Sequence, residues 1–233
     1  MFKLFLPQLK VSFADYQVKE ELILIAGGKK PAIEWFNQIK YDHQIICIDR
    51  GIDFCRENNF VPDFLIGDLD SAANDSIEWS VNNSLKVDKY PVDKDFTDTQ
   101  LALTKIDENN FAIITGAFGG RLDHLYSILF TCANSQIKNC LADERETVIF
   151  LSSGEYLSIE FMTKPIALSL LPISDICEGV SIDGVHWPLN SATLSQKLPN
   201  AISNRVESKV VNVSINSGKL AIYLCFAENF LFT

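Results

Sequence analysis

Acidic residues follow two apolar segments of the chain at spacings that suit a cation site. Asp68 and Asp70 end the segment DFLIGDLDS, and residues two apart in an extended chain project to the same side. Asp98 lies further along, in PVDKDFTDTQ, a loop that also carries Asp93 and Asp95. Oxygen ligands without nearby His or Cys favour Mg²⁺. The pattern predicts that Asp68, Asp70 and Asp98 share a magnesium ion.

A purely structural role explains part of this pattern. Short Asp and Ser side chains often bond their own backbone in loops, so the D-x-D pair alone leaves both interpretations open. Thr97 with Gln100 three residues later predicts a capping box, and Asp98 would then lie in the first turn of a helix. The other two acids of this loop are not explained by a cap, because like charges repel unless a cation neutralises them.

The segment GAFGGRLDH (116–124) has the opposite character and suits an anion. Its glycines allow close approach of a ligand to the backbone, and the N-terminus of a following helix attracts negative charge. Arg121 can bind phosphate oxygens as a fork of donors, although pairing with Asp123 on the surface is the alternative. Gly27 and Gly28 belong to neither a P-loop nor a dinucleotide fingerprint. Carboxylates beside such loops suit phosphoryl or pyrophosphoryl transfer, without naming the acceptor.

Alternating strands and helices must position these residues. Segments such as ELILIAGG, QIICIDRG and FAIITGAFGG are typical of buried strands with helices between them, which predicts an α/β fold. Polar and glycine residues follow five of the predicted strands, where ligands bind in open α/β sheets. We expect a mostly parallel, Rossmann-like α/β/α domain over 1–142, with an N-terminal extension over 1–20. Short β-type segments predict an antiparallel β-sandwich or barrel over 143–233.

Composition excludes some classes of function. The 20 Lys and Arg against 30 Asp and Glu give a net charge of −10, which argues against nucleic-acid binding. The N-terminal apolar run is too short for a signal peptide, and no uncharged stretch is long enough for a membrane helix. Six scattered cysteines without C-x-x-C spacing predict free thiols in a reducing compartment, the cytoplasm.

Three motifs together resemble those of a known family. GDLDS (67–71), DKDFTDTQLAL (93–103) and GAFGGRLDH (116–124), in this order, are similar to motifs of the bacterial thiamine pyrophosphokinases. The resemblance implies transfer of the pyrophosphoryl group of ATP to the hydroxyl of thiamine, which gives thiamine diphosphate and AMP. It also implies Mg²⁺, ATP as co-substrate, and a homodimer in which each active site lies between an α/β domain and the partner's β domain.

The resemblance further implies roles for individual residues. It assigns Mg²⁺ to Asp68, Asp70 and Asp98, and catalysis to Asp70, Asp98 and Arg121. It assigns the remaining contacts with ATP and thiamine to two sets: Gly27, Gly28, Asp49, Asp68, Thr97, Arg121 and Asp123 for ATP, and Asp98, Ser203 and Asn204 for thiamine.

The chain departs from the family pattern at three places. Ile128 stands where many relatives have Asn, and Arg205 where an acid is common. The last strand carries Leu220-Ala221-Ile222 where animal relatives have a Trp that stacks on thiamine. Trp187 is another aromatic residue, for which a core or dimer-interface position is expected. Two other functions stay open: a haloacid-dehalogenase-like phosphatase or other Mg²⁺-dependent phosphotransferase, and a sensor of nucleotide or thiamine without turnover.

Overall fold

The chain has a mixed α/β fold that divides into two compact units. The computed structural model describes residues 1–14, 16–91, 93 and 95–227. One unit is Val18–Asp143, and the other joins residues 1–17 to the chain from Glu144 onward. The predicted domain boundary, between residues 142 and 143, lies one residue before this division.

Fifteen strands and five α-helices form within the described residues. The strands are β1 (Phe2–Leu6), β2 (Leu9–Phe13), β3 (Glu21–Ile25), β4 (Gln44–Ile48), β5 (Phe64–Gly67), β6 (Lys86–Lys89), β7 (Phe111–Thr115), β8 (Lys138–Ala142), β9 (Glu146–Ser152), β10 (Tyr156–Phe161), β11 (Ala167–Pro172), β12 (Ile176–Ile182), β13 (Leu189–Ser195), β14 (Val210–Ser214) and β15 (Lys219–Cys225). The helices are α1 (Ile33–Ile39), α2 (Ile52–Glu57), α3 (Asn74–Asn82), α4 (Asp98–Thr104) and α5 (Leu122–Asn134).

The unit Val18–Asp143 contains six strands in the order β8-β7-β3-β4-β5-β6, and every neighbouring pair is parallel. The inner strands β3, β4 and β7 are almost continuously buried, as expected of a parallel sheet, whereas the edge strand β6 is exposed. Because all six strands run the same way, their carboxyl ends and the loops that follow them lie along one edge.

The second unit is built from antiparallel strands. Six of them lie in the order β1-β2-β10-β14-β12-β13, and β11, β15 and β9 are also neighbours. Alternating burial along β10 and β14 gives the half-buried pattern that short β-type segments predict. The antiparallel character expected for the second half of the chain is therefore present.

The N-terminal segment differs from the prediction. Residues 1–20 were expected to extend the α/β domain, but β1 and β2 form a hairpin whose second strand pairs with β10. The physical reason is the alternation of FKLFL and LKVSF, which buries Leu4, Leu9 and Val11 completely. An apolar run that is too short for a signal peptide is thus half of a β-hairpin in the other unit.

All six cysteines are free thiols, as predicted, and five of them are buried. Burial raises the pKa of the Cys132 and Cys140 thiols well above the ordinary value, since the thiolate would lose its hydration. None of the helices in the described part of the chain has both the length and the apolar character needed to span a membrane.

Candidate active site

Three carboxylates meet at the carboxyl ends of the neighbouring strands β4 and β5. Asp49 follows β4, Asp68 and Asp70 follow β5, and one oxygen from each lies within 4.8 Å of those of the other two. The Asp70 backbone N–H also donates to Asp68 Oδ1 at 3.2 Å. The alternative role of these acids, in which an Asp side chain bonds the backbone of its own loop, is therefore partly present. The structure brings the two predicted metal ligands together and adds Asp49, to which the resemblance gave a nucleotide role.

The conformation of Asp49 points its carboxyl into this cluster. Its φ of 47° is unusual for a residue with a side chain, and a Cβ on Gly67 would lie 3.0 Å from Asp49 Cβ. Asp49 Oδ2 accepts a hydrogen bond from the Ser71 hydroxyl, whereas buried Oδ1 has no hydrogen-bond partner among the described residues. Burial raises the pKa of Asp49, and the charges of Asp98 and Asp68 raise it further against the effect of Ser71.

These properties fit a divalent cation held by oxygen atoms. A buried carboxylate oxygen without a protein partner is costly, and two more carboxylates at this distance add repulsion. Binding of a cation would remove both penalties at once. The donors are all carboxylates, which suits Mg²⁺ better than a metal that prefers nitrogen or sulfur.

Helix α4 places Asp98 beside this cluster. Thr97 is the N-cap residue, and both hydrogen bonds of the predicted capping box with Gln100 are present, at 2.8 and 3.3 Å. Asp98 is therefore the first residue of the helix, as the sequence predicts. Its charge acts on Asp49, although it lies outside the 4.8 Å group of three that the described residues form.

Glycines allow the loops after β3 and β7 to pack against each other. The Gly28 N–H donates to the Gly116 carbonyl at 2.7 Å, and a Cβ on Gly28 would lie 2.5 Å from that oxygen. Gly27 lies against Arg50, since an added Cβ would be 2.9 Å from Arg50 Cβ. The two glycines assigned to ATP are thus required for backbone packing at this edge of the sheet.

Arg121 and Asp123 are paired at the start of α5. Arg121 Nε and Nη2 donate to the two Asp123 carboxylate oxygens at 3.1 and 2.6 Å, and both side chains are exposed. The hydrogen bonds from Arg121 lower the pKa of Asp123 to about 2. The surface pair is therefore present, and the guanidinium is held at the N-terminus of α5 in an accessible position.

The two residues assigned to thiamine lie in the second unit and differ in role. Ser203 has an exposed side chain and a φ of 58°, and its N–H donates to Ser169 Oγ at 3.0 Å. The Asn204 side chain holds the Trp187 backbone, because Oδ1 accepts from its N–H at 3.1 Å and Nδ2 donates to its carbonyl at 2.8 Å. Asn204 therefore has a structural role in the described contacts.

Trp187 and Asn204 line a groove of about 520 Å³ within this unit. Other lining side chains are mostly apolar, including Leu168, Leu170 and Ile202. Trp187 is 54% exposed in the single chain, so it is not a core residue, and the dimer-interface position remains a prediction. The guanidinium of Arg205 lies 5.3 Å from the centre of its ring.

The structure also locates the other two departures from the family pattern, in the last strand and at Ile128. Leu220, Ala221 and Ile222 are completely buried in β15, so these three positions offer no aromatic ring to a ligand. Ile128 lies half-buried on α5. Sequence reasoning missed one feature, the place of Asp49 among the metal candidates. The DRG triplet directly after a buried strand was the available signal for Asp49.

Acids and glycines at the carboxyl ends of parallel strands are typical of α/β proteins that bind phosphorylated ligands. Two family models match the chain in order: "Thiamin pyrophosphokinase, catalytic domain" over residues 36–141, and "Thiamin pyrophosphokinase, vitamin B1 binding domain" over residues 158–220. The three-carboxylate cluster lies in the first range and the Trp187 groove in the second.

Named relatives agree with these matches. Thiamine pyrophosphokinase of Bacillus subtilis (strain 168) is 27% identical over 189 residues, which cover 78% of this chain and 88% of the relative. The crystal structure of thiamine pyrophosphokinase from Bacillus subtilis has a TM-score of 0.75 at 23% identity, covering 90% of this chain and 100% of that one. Thiamin pyrophosphokinase from Candida albicans has a TM-score of 0.77 at 14% identity and 89% coverage of both chains.

The chain belongs to the thiamine pyrophosphokinase family. The reaction of this family is the ATP-dependent pyrophosphorylation of thiamine to thiamine diphosphate. The matches support this reaction over the phosphatase and sensor alternatives.

Proposed function

We propose that the chain catalyses this reaction with the carboxylate cluster of Asp49, Asp68 and Asp70 at its centre. The thiamine hydroxyl oxygen attacks the β-phosphorus of ATP and forms a new O–P bond. The bond between the β-phosphorus and the oxygen bridging to the α-phosphorus breaks, AMP leaves with that oxygen, and the hydroxyl proton is lost. The observation that carries the proposal is the position of this cluster inside the segment that matches the catalytic domain.

The carboxylates hold Mg²⁺ in this proposal. The geometry favours Asp49, Asp68 and Asp70 as the ligands. Asp98, on α4, adds a further negative charge close to Asp49. When bound, the ion neutralises phosphate oxygens and orients them for in-line displacement. The fit rests on the all-oxygen donor set and on the buried Oδ1 of Asp49, which has no hydrogen-bond partner in the described part of the chain.

ATP binds along the neighbouring loops in this proposal. Gly27, Gly28 and Thr97 shape the surface over which the nucleotide lies, and Arg121 is the exposed fork of donors for its phosphates. Because Asp123 already holds the guanidinium through two hydrogen bonds, Arg121 is oriented before the nucleotide arrives. We assign Asp123 this positioning role.

Thiamine binds to the second unit in this proposal. The groove at Trp187 is mostly apolar and offers one exposed aromatic ring, which suits the aromatic rings of thiamine. Asn204 fixes the loop that carries Trp187, and Ser203 offers an exposed hydroxyl beside it. The guanidinium of Arg205 lies near the Trp187 ring and would repel the positive charge of thiamine. The uncharged part of thiamine is therefore the better partner for the Trp187 ring.

The remaining features of the proposal come from the family resemblance. The unit Val18–Asp143 serves as a Rossmann-like catalytic domain, and the other unit serves as a β-sandwich for thiamine binding and dimerisation. Two chains form a homodimer with shared active sites. Six free thiols and the net charge of −10 are compatible with a cytoplasmic enzyme that binds no nucleic acid.

Product analysis tests this proposal. Purified protein is incubated with Mg²⁺ and ATP, with and without thiamine, and nucleotides and thiamine species are separated by chromatography. We expect AMP and thiamine diphosphate in equal amounts, only when thiamine is present. Release of ADP or phosphate regardless of thiamine would indicate a hydrolase or another kinase, and binding without turnover would indicate a sensor.

A further inference from the structure

An ion pair crosses beneath the loop that follows β7. Lys29 follows β3 and Asp143 follows β8, and Lys29 Nζ lies 3.4 Å from Asp143 Oδ2. Strand β7 lies between β3 and β8, so the pair links the two strands on either side of it. Asp143 is only 1% exposed, which makes it one of the few buried carboxylates among the described residues.

The glycine-rich loop 116–120 rests directly on Lys29. The Lys29 N–H donates to the Phe118 carbonyl at 2.8 Å. A Cβ on Gly119 would lie 2.9 Å from Lys29 Cβ and less than 4 Å from the next carbons of its side chain. The aliphatic stem of Lys29 therefore forms the surface on which Gly119 packs.

The charge of Asp143 selects one arrangement of this stem. Lysine has many rotamers of similar energy, and holding one of them needs a fixed partner at its end. A buried carboxylate provides that partner strongly, since its own burial is costly without a cation. The neighbouring Lys30 pairs instead with exposed Glu57 at 2.5 Å and has no comparable constraint.

We propose that Lys29 and Asp143 are positioning residues for the loop 116–120, which leads directly into Arg121, the donor to the phosphates of ATP if the proposed function is correct. The ion pair fixes the Lys29 stem, and the stem fixes the path of Phe118 and Gly119. Neither side chain needs to touch the nucleotide. Loss of the pair should therefore weaken ATP binding more than thiamine binding.

The test compares steady-state kinetics and thermal unfolding of four variants. Lys29→Met with Asp143→Leu removes both charges of the pair, so that neither is left buried without the other, and the fold should be kept. We expect its KM for ATP to rise about tenfold, since a shift of the loop would misplace Arg121. Its KM for thiamine and its Tm should stay close to those of the wild type. Lys29→Arg should lie nearer to wild type than Lys29→Met, and Lys30→Met is the matched control with unchanged KM for ATP.

The result differs if the pair of Lys29 and Asp143 only stabilises the fold and does not position the loop. In that case the double variant has the wild-type KM for ATP, and this outcome would overturn the proposal. If the double variant does not fold, Asp143→Asn decides by the same KM comparison. A wild-type protein that makes no thiamine diphosphate would instead refute the proposed function, and this role with it.

Discussion

At the scale of single residues, the site concentrates negative charge, because carboxylate oxygens of Asp49, Asp68 and Asp70 lie within 4.8 Å of one another. Asp49 carries the clearest sign of this, because burial and the charges of Asp98 and Asp68 all raise its pKa. A folded state that keeps such a group gives up stability for the ability to bind a cation.

Asp49→Asn should separate stability from activity. Because the pKa of Asp49 is raised in the folded state, its ionisation favours unfolding at neutral pH, and this effect disappears below the ordinary aspartate pKa of about 4. In metal-free buffer we expect a higher Tm for the variant at pH 7 and a smaller difference as the pH falls. Turnover should decrease by about 100-fold.

The matched control for Asp49 is Asp75→Asn, since Asp75 is an exposed acid of α3 in the same unit. It should leave turnover unchanged. Added Mg²⁺ should raise the Tm of the wild type more than that of Asp49→Asn. Equal responses of the two proteins to Mg²⁺ would contradict the assignment of Asp49 as a ligand.

Arg121→Ala should lower kcat/KM for ATP by about tenfold or more, since a fork of donors to phosphate is lost. The Tm should not change, because Arg121 and Asp123 are both exposed and surface pairs add little stability. Lys19→Ala, which breaks the exposed pair with Asp107, is the control. An unchanged kcat/KM for ATP in Arg121→Ala would show that this arginine is only a surface partner of Asp123.

At the scale of elements, the short helix α4 presents Asp98, and its stability depends on its N-terminal cap. Helix α4 has seven residues and depends on the capping box of Thr97 and Gln100. Thr97→Ala should lower the free energy of unfolding by about 1 kcal/mol, whereas Thr97→Ser should keep most of it. Urea unfolding measures both variants, and equal losses would show that the hydroxyl bond to Gln100 is not the source of stability.

Elements with strong local signals were predictable from the sequence. The buried strands β3, β4 and β7 and the cap at Thr97 are continuous apolar runs or a local side-chain pattern. Helix α3 was missed, because NDSIEWSVN is polar and buries only two serines. The hairpin of β1 and β2 joins the distant β10, and such pairing depends on packing that local patterns do not contain.

For the candidate site, the sequence predicts proximity only between residues that are close along the chain. Asp68 and Asp70 are two residues apart, so their proximity follows from local geometry. Asp49 joins them only because β4 and β5 are neighbours and Gly67 leaves room for a left-handed residue. Lys29 and Asp143 are 114 residues apart, and only the order of β3, β7 and β8 brings them together.

At the scale of the whole molecule, the proposal takes from the family resemblance a site that is shared between two chains. The metal candidates lie in one unit and the groove at Trp187 in the other. Specific activity should fall on dilution below the dissociation constant of the homodimer, as followed by sedimentation and product formation at matched concentrations. Full activity of a monomer would contradict a site shared between subunits.

The central claim is that a thiamine hydroxyl attacks the β-phosphorus of ATP at the carboxylate cluster. The most direct test uses ATP labelled separately at the α-, β- and γ-phosphorus, with Mg²⁺ and thiamine. We predict that the β and γ labels both appear in thiamine diphosphate, while the α label appears only in AMP. Transfer of the γ label alone, with the β label retained in ADP, would contradict the account.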